Sequence, residues 1–335
     1  MTAWYNNPMA NRIRVGVIRG GPSNEYEVSL NTGAAVLAAI REKLDERYEP
    51  VDVFIDRSGK WHILGKEIDP RDSHHHFDIA WNALHGNYGE DGKIQSFFEA
   101  HGIPFTGSGT LGSAIGMNKG LTKKILRDHG IKSPYWKEAS TVDIRRDLHG
   151  AVEDIFTTFV LPGVIKPAQS GSSVGVSVVK VKADIGPALQ AAIEHGDQVI
   201  IEEFIPGVEA TCGVIDGFRG EELYALPPVE IRPRNVFFDY DAKYNGQSEE
   251  IVPGRFDIKT KREIEDLARA VHKLLKLKHY SRTDFIIHPR RGIYVLETNT
   301  LPGLTEESLL PKSLRAVGSG LHELIDHIIR RELGV

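Results

Sequence analysis

A short β-branched strand at residues 14–18 runs straight into Arg19-Gly20-Gly21-Pro22-Ser23, and the apolar spacing behind that turn becomes helical. No other feature narrows the fold as much. The helix carries Val28, Leu30, Ala34, Ala35, Val36 and Leu37 as its apolar set, with its start near Ser29 or Asn31. Residues 51–55 and 79–84 read as further buried strands. Strands separated by helices pair in parallel, because a parallel pair needs a crossover connection. The opening of the chain is therefore expected to be an α/β domain around a parallel sheet. The glycine turn also invites a dinucleotide reading. Its spacing is not G-x-G-x-x-G, and no acidic residue closes a clear second strand in the way that fingerprint needs.

At 335 residues the chain has room for two or three domains. Its 41 Lys and Arg against 46 Asp and Glu give a formal net charge of −5, which argues against nucleic acid or an anionic membrane as partner. Any phosphate site has to be a local concentration of cations. Cys212 is the only cysteine, so no intrachain disulfide forms, and it is expected to be a small buried apolar residue. The first twelve residues lack the apolar run of a signal peptide. No stretch reaches the roughly 18 apolar residues of a membrane span. The expectation is a cytoplasmic protein.

Further along, residues 119–129 form a helix with Leu121, Ile125 and Leu126 as its buried side. Strands are expected at 164–166, 176–181 and 198–205, with a helix at 184–194, and then around 210–215 and 223–231. Residues 232–253 are polar and without periodicity, the character of a lid or binding loop. Ile264, Leu267, Ala268, Val271, Leu274 and Leu275 mark one face of a helix, and residues 284–287 and 294–296 form a hairpin across 289–292. An amphipathic helix at 320–331 closes the chain. His74-His75-His76 sits among polar residues and reads as a solvated loop.

Two segments carry chemistry. The loop from Lys166 to Gly175 lies between two strands and is made of small and hydroxyl residues, whose backbone amides approach phosphate oxygens closely. Lys166 adds a point charge. No Gly-Lys-Ser/Thr precedes a helix, so this is not a Walker loop; the bland alternative is a flexible hairpin. The second segment is Asp284 on one strand of the hairpin with Glu297 and Asn299 on the other. Glu297 and Asn299 are two apart and leave the strand on the same face. Two carboxylates and an amide oxygen make a hard ligand set suited to Mg²⁺; the alternative is an ordinary solvated hairpin. Arg282 suits a carboxylate or an oxyanion, and Gly303 and Ser308 offer an amide and a hydroxyl to an anion.

Together these residues resemble a known family. Gly20–Leu30, His85–Gly92, Phe105–Gly109, Lys166–Gly175, Asp239–Tyr244 and Glu297–Leu309 look like the signature blocks of D-alanine–D-alanine ligases of the ATP-grasp superfamily, in family order and over most of the chain. The resemblance implies an α/β, partly α+β, ATP-grasp architecture. It has an N-terminal α/β substrate domain at 1–116, a central subdomain at 117–206 and a C-terminal subdomain at 207–335 that includes the 232–253 loop, with ATP between the last two. It implies that Lys119, Lys166 and the segment Ser172, Ser173, Val174 bind the phosphates, that Glu202, Glu203, Phe204 and Ile205 line the adenine, that Glu209 holds the ribose, and that Lys243 reaches the γ-phosphate. Asp284, Glu297 and Asn299 would hold two Mg²⁺ ions, with Mn²⁺ an alternative. Glu25 and His85 would meet the first D-alanine, Arg282 and the Gly303 amide the oxyanion, and Ser308 with the Leu309 amide the second carboxylate. Ser172 and Tyr244 would link with Glu25 to hold the long loop shut.

The reaction so implied activates a D-alanine carboxylate as an acyl-phosphate, which a second D-alanine amine then attacks. The chain departs from the family pattern at Asn118, where Asp is common, at Tyr88, usually smaller, and at Glu203, where some members carry Lys. The resemblance also suggests a homodimer. Rival readings are D-alanine–D-lactate or D-alanine–D-serine ligation, another ATP-grasp amino-acid ligase, and a non-catalytic nucleotide-binding regulator.

Overall fold

The computed structural model describes residues 12–169, 171, 174–233 and 248–335. The chain divides into two compact units. Unit 1 takes the described residues of Met1–Ser113 with Lys278–Tyr280 and Leu301–Val335, and unit 2 those of Ala114–Leu277 and Ser281–Thr300. Residues 301–335, which the division by position along the chain set with the C-terminal subdomain, thus pack with the opening of the chain.

In unit 1, β1 (Ile13–Gly20), α1 (Tyr26–Lys43) and β2 (Tyr48–Ile55) form a parallel crossover, and β5 (Ile79–Asn82) pairs with the other edge of β1, also in parallel. The sheet order is β4-β3-β2-β1-β5. The sheet is not wholly parallel, as its sequence suggested. β3 (Trp61–Ile63) and β4 (Lys66–Ile68) add antiparallel strands at the β2 edge. They are three residues each, too short to leave a period in the sequence. Val15, Val17 and Ile18 on β1 are wholly buried, as a strand covered on both faces requires. α1 begins at Tyr26, earlier than Ser29 or Asn31, and its buried side includes the polar Ser29 and Thr32. Ser29 Oγ accepts from the Gly20 amide and donates to the Ala83 carbonyl, which explains why a hydroxyl is buried there. α2 (Lys93–Ala100) buries Ile94 and Phe98, and the last helix, Leu321–Leu333, packs on α1.

In unit 2, α3 (Thr110–Met117, shared with unit 1) leads into α4 (Lys119–Asp128). A four-stranded antiparallel sheet follows in the order β6-β9-β7-β8, from β6 (Trp136–Ser140), β7 (Gly163–Pro167), β8 (Ser177–Val179) and β9 (Gln198–Glu203). α5 (Thr141–Arg146), α6 (Leu148–Thr158) and α7 (Lys182–Ile193) belong with it, over a core that includes Ile165, Leu189, Val199 and Ile201. The second sheet holds β10 (Val208–Asp216), β11 (Leu223–Ala225), β12 (Val229–Pro233), β13 (Ser248–Ile251), β14 (Tyr280–His288) and β15 (Gly292–Asn299). The single strand expected over 223–231 is two strands, broken at Leu226–Pro228, where Pro227 and Pro228 supply no amide hydrogens for a ladder. The polar stretch 232–253 begins inside β12 and takes in the whole of β13; residues 234–247 lie outside the described part. α8 (Ile258–Leu274) starts at Asp257, whose carboxylate accepts from the Thr260 amide, and buries Ile264, Ala268 and Val271 against Cys212, Val214 and Phe285. α9 (Leu309–Ala316) and α10 (Leu321–Leu333) close unit 1.

Candidate active site

The slot lies wholly within unit 2. Val164 on β7 and Val176 and Val178 beside and on β8 line it from one sheet, and Ile286 on β14 and Leu296 on β15 from the other. Phe204 and Ile205, just after β9, add further apolar lining. Apolar walls with a few polar groups are the setting of small-molecule pockets. The polar groups here are Lys119, Lys166, Glu202, Glu203, Glu209 and Glu297.

The lysines are held by carboxylates. Lys166 Nζ donates to Glu202 Oε1 at 2.7 Å, and Lys123 Nζ lies 2.9 Å from Glu202 Oε2. Lys119 Nζ is 3.4 Å from Glu297 Oε2. All three lysines and Glu202 are buried. Burial by itself would raise the Glu202 carboxyl, yet the pull of Lys123 and Lys166 holds it below the ordinary carboxylate range. Burial draws the Lys123 ammonium below its usual range, with Glu202 opposing.

Lys123 was not among the expected site residues, because α4 presents a different side from the one its apolar residues suggested. Leu121 is 42% exposed, while Lys123 is wholly buried. The signal was there in the helical period: Lys119 and Lys123 are four apart and share a face. Asn118 caps α4, its Oδ1 accepting from the Leu121 amide at 2.9 Å, so the Asn found where Asp is common keeps the capping acceptor. Glu203, another departure, is tied by Arg291 Nη1 at 2.5 Å from the turn between β14 and β15.

That hairpin carries the candidate metal ligands. Its register sets Asp284 opposite Glu297 and Arg282 opposite Asn299, so the period of two puts all four side chains on one face. Asp284 is near the middle of β14 rather than at its end, and a register shift falls directly after it. Arg282 reaches it bidentately, Nε to Oδ1 at 3.0 Å and Nη2 to Oδ2 at 3.1 Å, and Thr211 Oγ1 on β10 donates to Oδ1 at 2.6 Å. Thr211 was missed, since nothing local joins residues 73 apart in the chain. A carboxylate offers about four lone-pair positions, so Asp284 keeps acceptor capacity beside these bonds. With the Glu297 carboxylate directly across the ladder and Asn299 two residues on, the donors fit a hard divalent cation.

Unit 1 gathers a second group. Gly86 has φ +67°, and a Cβ there would meet Glu25 Oε2 at 2.6 Å and Ser23 Oγ at 2.8 Å, so only glycine lets the Glu25 carboxylate lie over this turn. His85 is buried, its Nε2 2.8 Å from Thr32 Oγ1 on α1. Glu90 binds the Gly86 amide through Oε2 at 2.9 Å and the Leu301 amide through Oε1 at 3.0 Å. A single buried carboxylate thus joins the turn at 86 to the segment that carries Gly303. That function of Glu90 was not read from the sequence, although the residue lies in the second signature block. Ser308 stands at the N-terminal boundary of α9 without a side-chain bond to the helix, its Oγ 2.7 Å from Thr305 Oγ1 and 2.9 Å from where a Gly303 Cβ would stand. The first-turn amides of α9, Leu309 among them, point out of the helix end, where an anion is favoured. The carboxylate of Glu25 at the start of α1 makes that other helix end unsuited to a dinucleotide's phosphates. Ser172, Ser173, Lys243 and Tyr244 lie outside the described residues; Val174 is described, its amide donating to the Gly171 carbonyl at 3.2 Å.

An apolar slot between two sheets, edged by buried lysines and a carboxylate-bearing hairpin, in a chain that also carries a mainly parallel α/β unit, defines an ATP-grasp ligase. Residues 125–330 match the family described as D-ala D-ala ligase C-terminus, and residues 14–73 and 64–108 match its N-terminus counterpart. A D-alanine–D-alanine ligase from Geotalea uraniireducens is 38% identical over 317 residues, 94% of each chain. Among solved structures, the D-Ala:D-Ser ligase VanG from Enterococcus faecalis has a TM-score of 0.83 at 30% identity, covering 96% of this chain and 100% of its own. The ATP complex of the D-alanine–D-alanine ligase from Bacillus anthracis has a TM-score of 0.76 at 35% identity, covering 96% and 97%. The chain belongs to the D-alanine–D-alanine ligase family, a family of ATP-dependent ligases.

Proposed function

We propose that this protein joins two molecules of D-alanine into D-alanyl-D-alanine, a peptidoglycan precursor, converting ATP to ADP and phosphate. The observation that carries the reading is the hairpin face, where Arg282, Asp284, Glu297 and Asn299 stand side by side next to Lys119 at the apolar slot. In this reading the four-stranded sheet, within residues 117–206, and the second sheet, from residue 207 on, are the two subdomains that hold ATP. The adenine lies against Phe204, Ile205 and the backbone of Glu202 and Glu203, the ribose near Glu209, and the phosphates toward Lys119, Lys166 and the 172–174 segment, with Lys243 at the γ-phosphate. Asp284, Glu297 and Asn299 would hold two Mg²⁺ ions, which when bound neutralise charge on the transferring phosphoryl group.

A carboxylate is a poor electrophile, so one D-alanine carboxylate oxygen attacks the γ-phosphorus and ADP leaves. The acyl-phosphate is then attacked at its carbonyl carbon by the neutral amine of the second D-alanine. The amine loses a proton and phosphate departs. Glu25 suits the ammonium of the first D-alanine, with His85 its neighbour, and Ser308 with the Leu309 amide suits the carboxylate of the second. Arg282 and the Gly303 amide are assigned to the oxyanion of the tetrahedral intermediate. Ser172 and Tyr244 are assigned to the set that holds the 232–253 loop closed and keeps water from the acyl-phosphate. No helix among the described residues is long and apolar enough to cross a membrane. We place the enzyme in the cytoplasm, as a homodimer.

The test is ADP and phosphate release against D-alanine, L-alanine, D-serine and D-lactate, with products identified by mass. Turnover that needs D-alanine and Mg²⁺ and yields the dipeptide is expected. Equal rates with L-alanine would refute the reading, and D-alanyl-D-serine or D-alanyl-D-lactate as the main product would move it to those ligases.

A further inference from the structure

Lys123 has no part in the reaction just described and does not line the slot, yet its ammonium is wholly buried. A buried lysine is costly unless its charge is answered. Here the answer is one atom. Nζ lies 2.9 Å from Glu202 Oε2, and among the described residues neither atom has another hydrogen-bond partner. The Trp136 ring, 5.9 Å from Nζ, adds a weak cation–π contact. Glu202 in turn spends its other oxygen on Lys166. The chain of contacts therefore runs from α4, behind the slot wall, through a carboxylate on β9, to the phosphate-side lysine on β7.

We propose that Lys123 is a positioning residue for the nucleotide, acting through Glu202 on Lys166; the proposal rests on the reading of the slot as the ATP site. Two effects follow from the geometry. With both oxygens of Glu202 engaged by cations, its rotamer is set, and so is the point from which Lys166 Nζ is held. Charge matters as well. Glu202 alone would cancel Lys166; with Lys123 present the three groups retain one net positive charge facing the triphosphate.

The variant Lys123→Met keeps length and apolar stem and removes the charge. Direct titration of the full-length enzyme with Mg·ATP, without amino acid, is expected to show affinity 10- to 100-fold weaker. The KM for D-alanine should move less than about threefold, and Lys123→Arg should restore part of the loss. The decisive comparison is a cycle with Lys166→Met. If Lys123 acts through Lys166, the double variant binds ATP no more weakly than Lys166→Met alone. Unchanged ATP affinity in folded Lys123→Met, or losses that simply add in the double variant, overturn the proposal. Should Lys123→Met not fold, Lys123→Gln, which keeps N–H donors for Glu202 without the charge, carries the same comparison. Because ATP binding is read without D-alanine, failure of the dipeptide assignment shows separately in the turnover assay.

Discussion

Glu297 stands where three demands meet. It faces Asp284 across the hairpin, lies 3.4 Å from the Lys119 ammonium, and borders the slot with its side chain 37% exposed. An acid so placed packs little and serves by its charge. Glu297→Gln keeps the shape, so we expect turnover to fall by about 100-fold or more, the scale of losing a charged ligand on a transferring phosphoryl group. The melting temperature should move by only a few degrees. Near-normal turnover would show that Glu297 is not a metal ligand, and collapse of the fold would show that Glu297 is structural. At this scale much was legible. A spacing of two on a strand is enough to align Glu297 with Asn299, and a hairpin brings Asp284 across. Less legible was every contact made over a long separation: Thr211 on Asp284, Glu90 on Leu301, and Lys123 on Glu202. Lys123 also defeated an apolar count, since such a count assigns a lysine to solvent and cannot see a carboxylate on another strand that permits its burial.

Among the elements, α10 shows how an end of the chain is tied down. Glu332 near its C-terminal end accepts from Lys278 Nζ at 2.5 Å and lies 3.2 Å from His279 Nε2. His279 Nδ1 accepts from the Gly107 amide, which requires Nδ1 to be unprotonated and puts the ring proton on Nε2, the nitrogen that faces Glu332. Burial by itself would raise the Glu332 carboxyl, but its bonds to His279 and Lys278 outweigh this and lower it. A carboxyl lowered on folding adds stability above its unfolded value, near 4.3, and that stability is lost as pH falls through the folded value. Glu332→Gln should therefore cost about 1–2 kcal/mol at pH 7, and the difference from the parent should shrink below pH 4 in urea titrations. A gap that persisted at pH 3 would assign the effect to packing. Elements with a full period, such as α8 and the β14–β15 hairpin, were plain in the sequence. Those that were not include β3 and β4, too short for a period, and the start of α1, where Ser29 and Thr32 are buried as hydrogen-bonding residues and so hide the helical face.

For the whole molecule, the candidate residues sort by unit. Lys119, Lys166, Glu202, Glu203, Phe204, Ile205, Glu209, Arg282, Asp284, Glu297 and Asn299 belong to unit 2, while Glu25, His85, Gly303, Ser308 and Leu309 belong to unit 1. This sorting was out of reach of the sequence, because the chain leaves unit 1 after Ser113 and returns to it at Lys278–Tyr280 and again at Leu301. No local pattern marks a return made through bonds such as that from Leu301 to Glu90. The sorting has a measurable consequence. A ligand that binds the native state lowers local opening where its contacts are, and amide hydrogen exchange reads this by segment. A non-hydrolysable ATP analogue with Mg²⁺ should slow exchange in β7, β9 and β15 by about tenfold or more, while leaving β1 and β5 nearly as they were. D-alanine added alone should slow exchange in residues 85–92 and 301–309, with little change in β7 and β9. Protection of β1 and β5 by the nucleotide, or of β7 and β9 by D-alanine alone, would mean that the assignment of the two ligands to the two units is wrong.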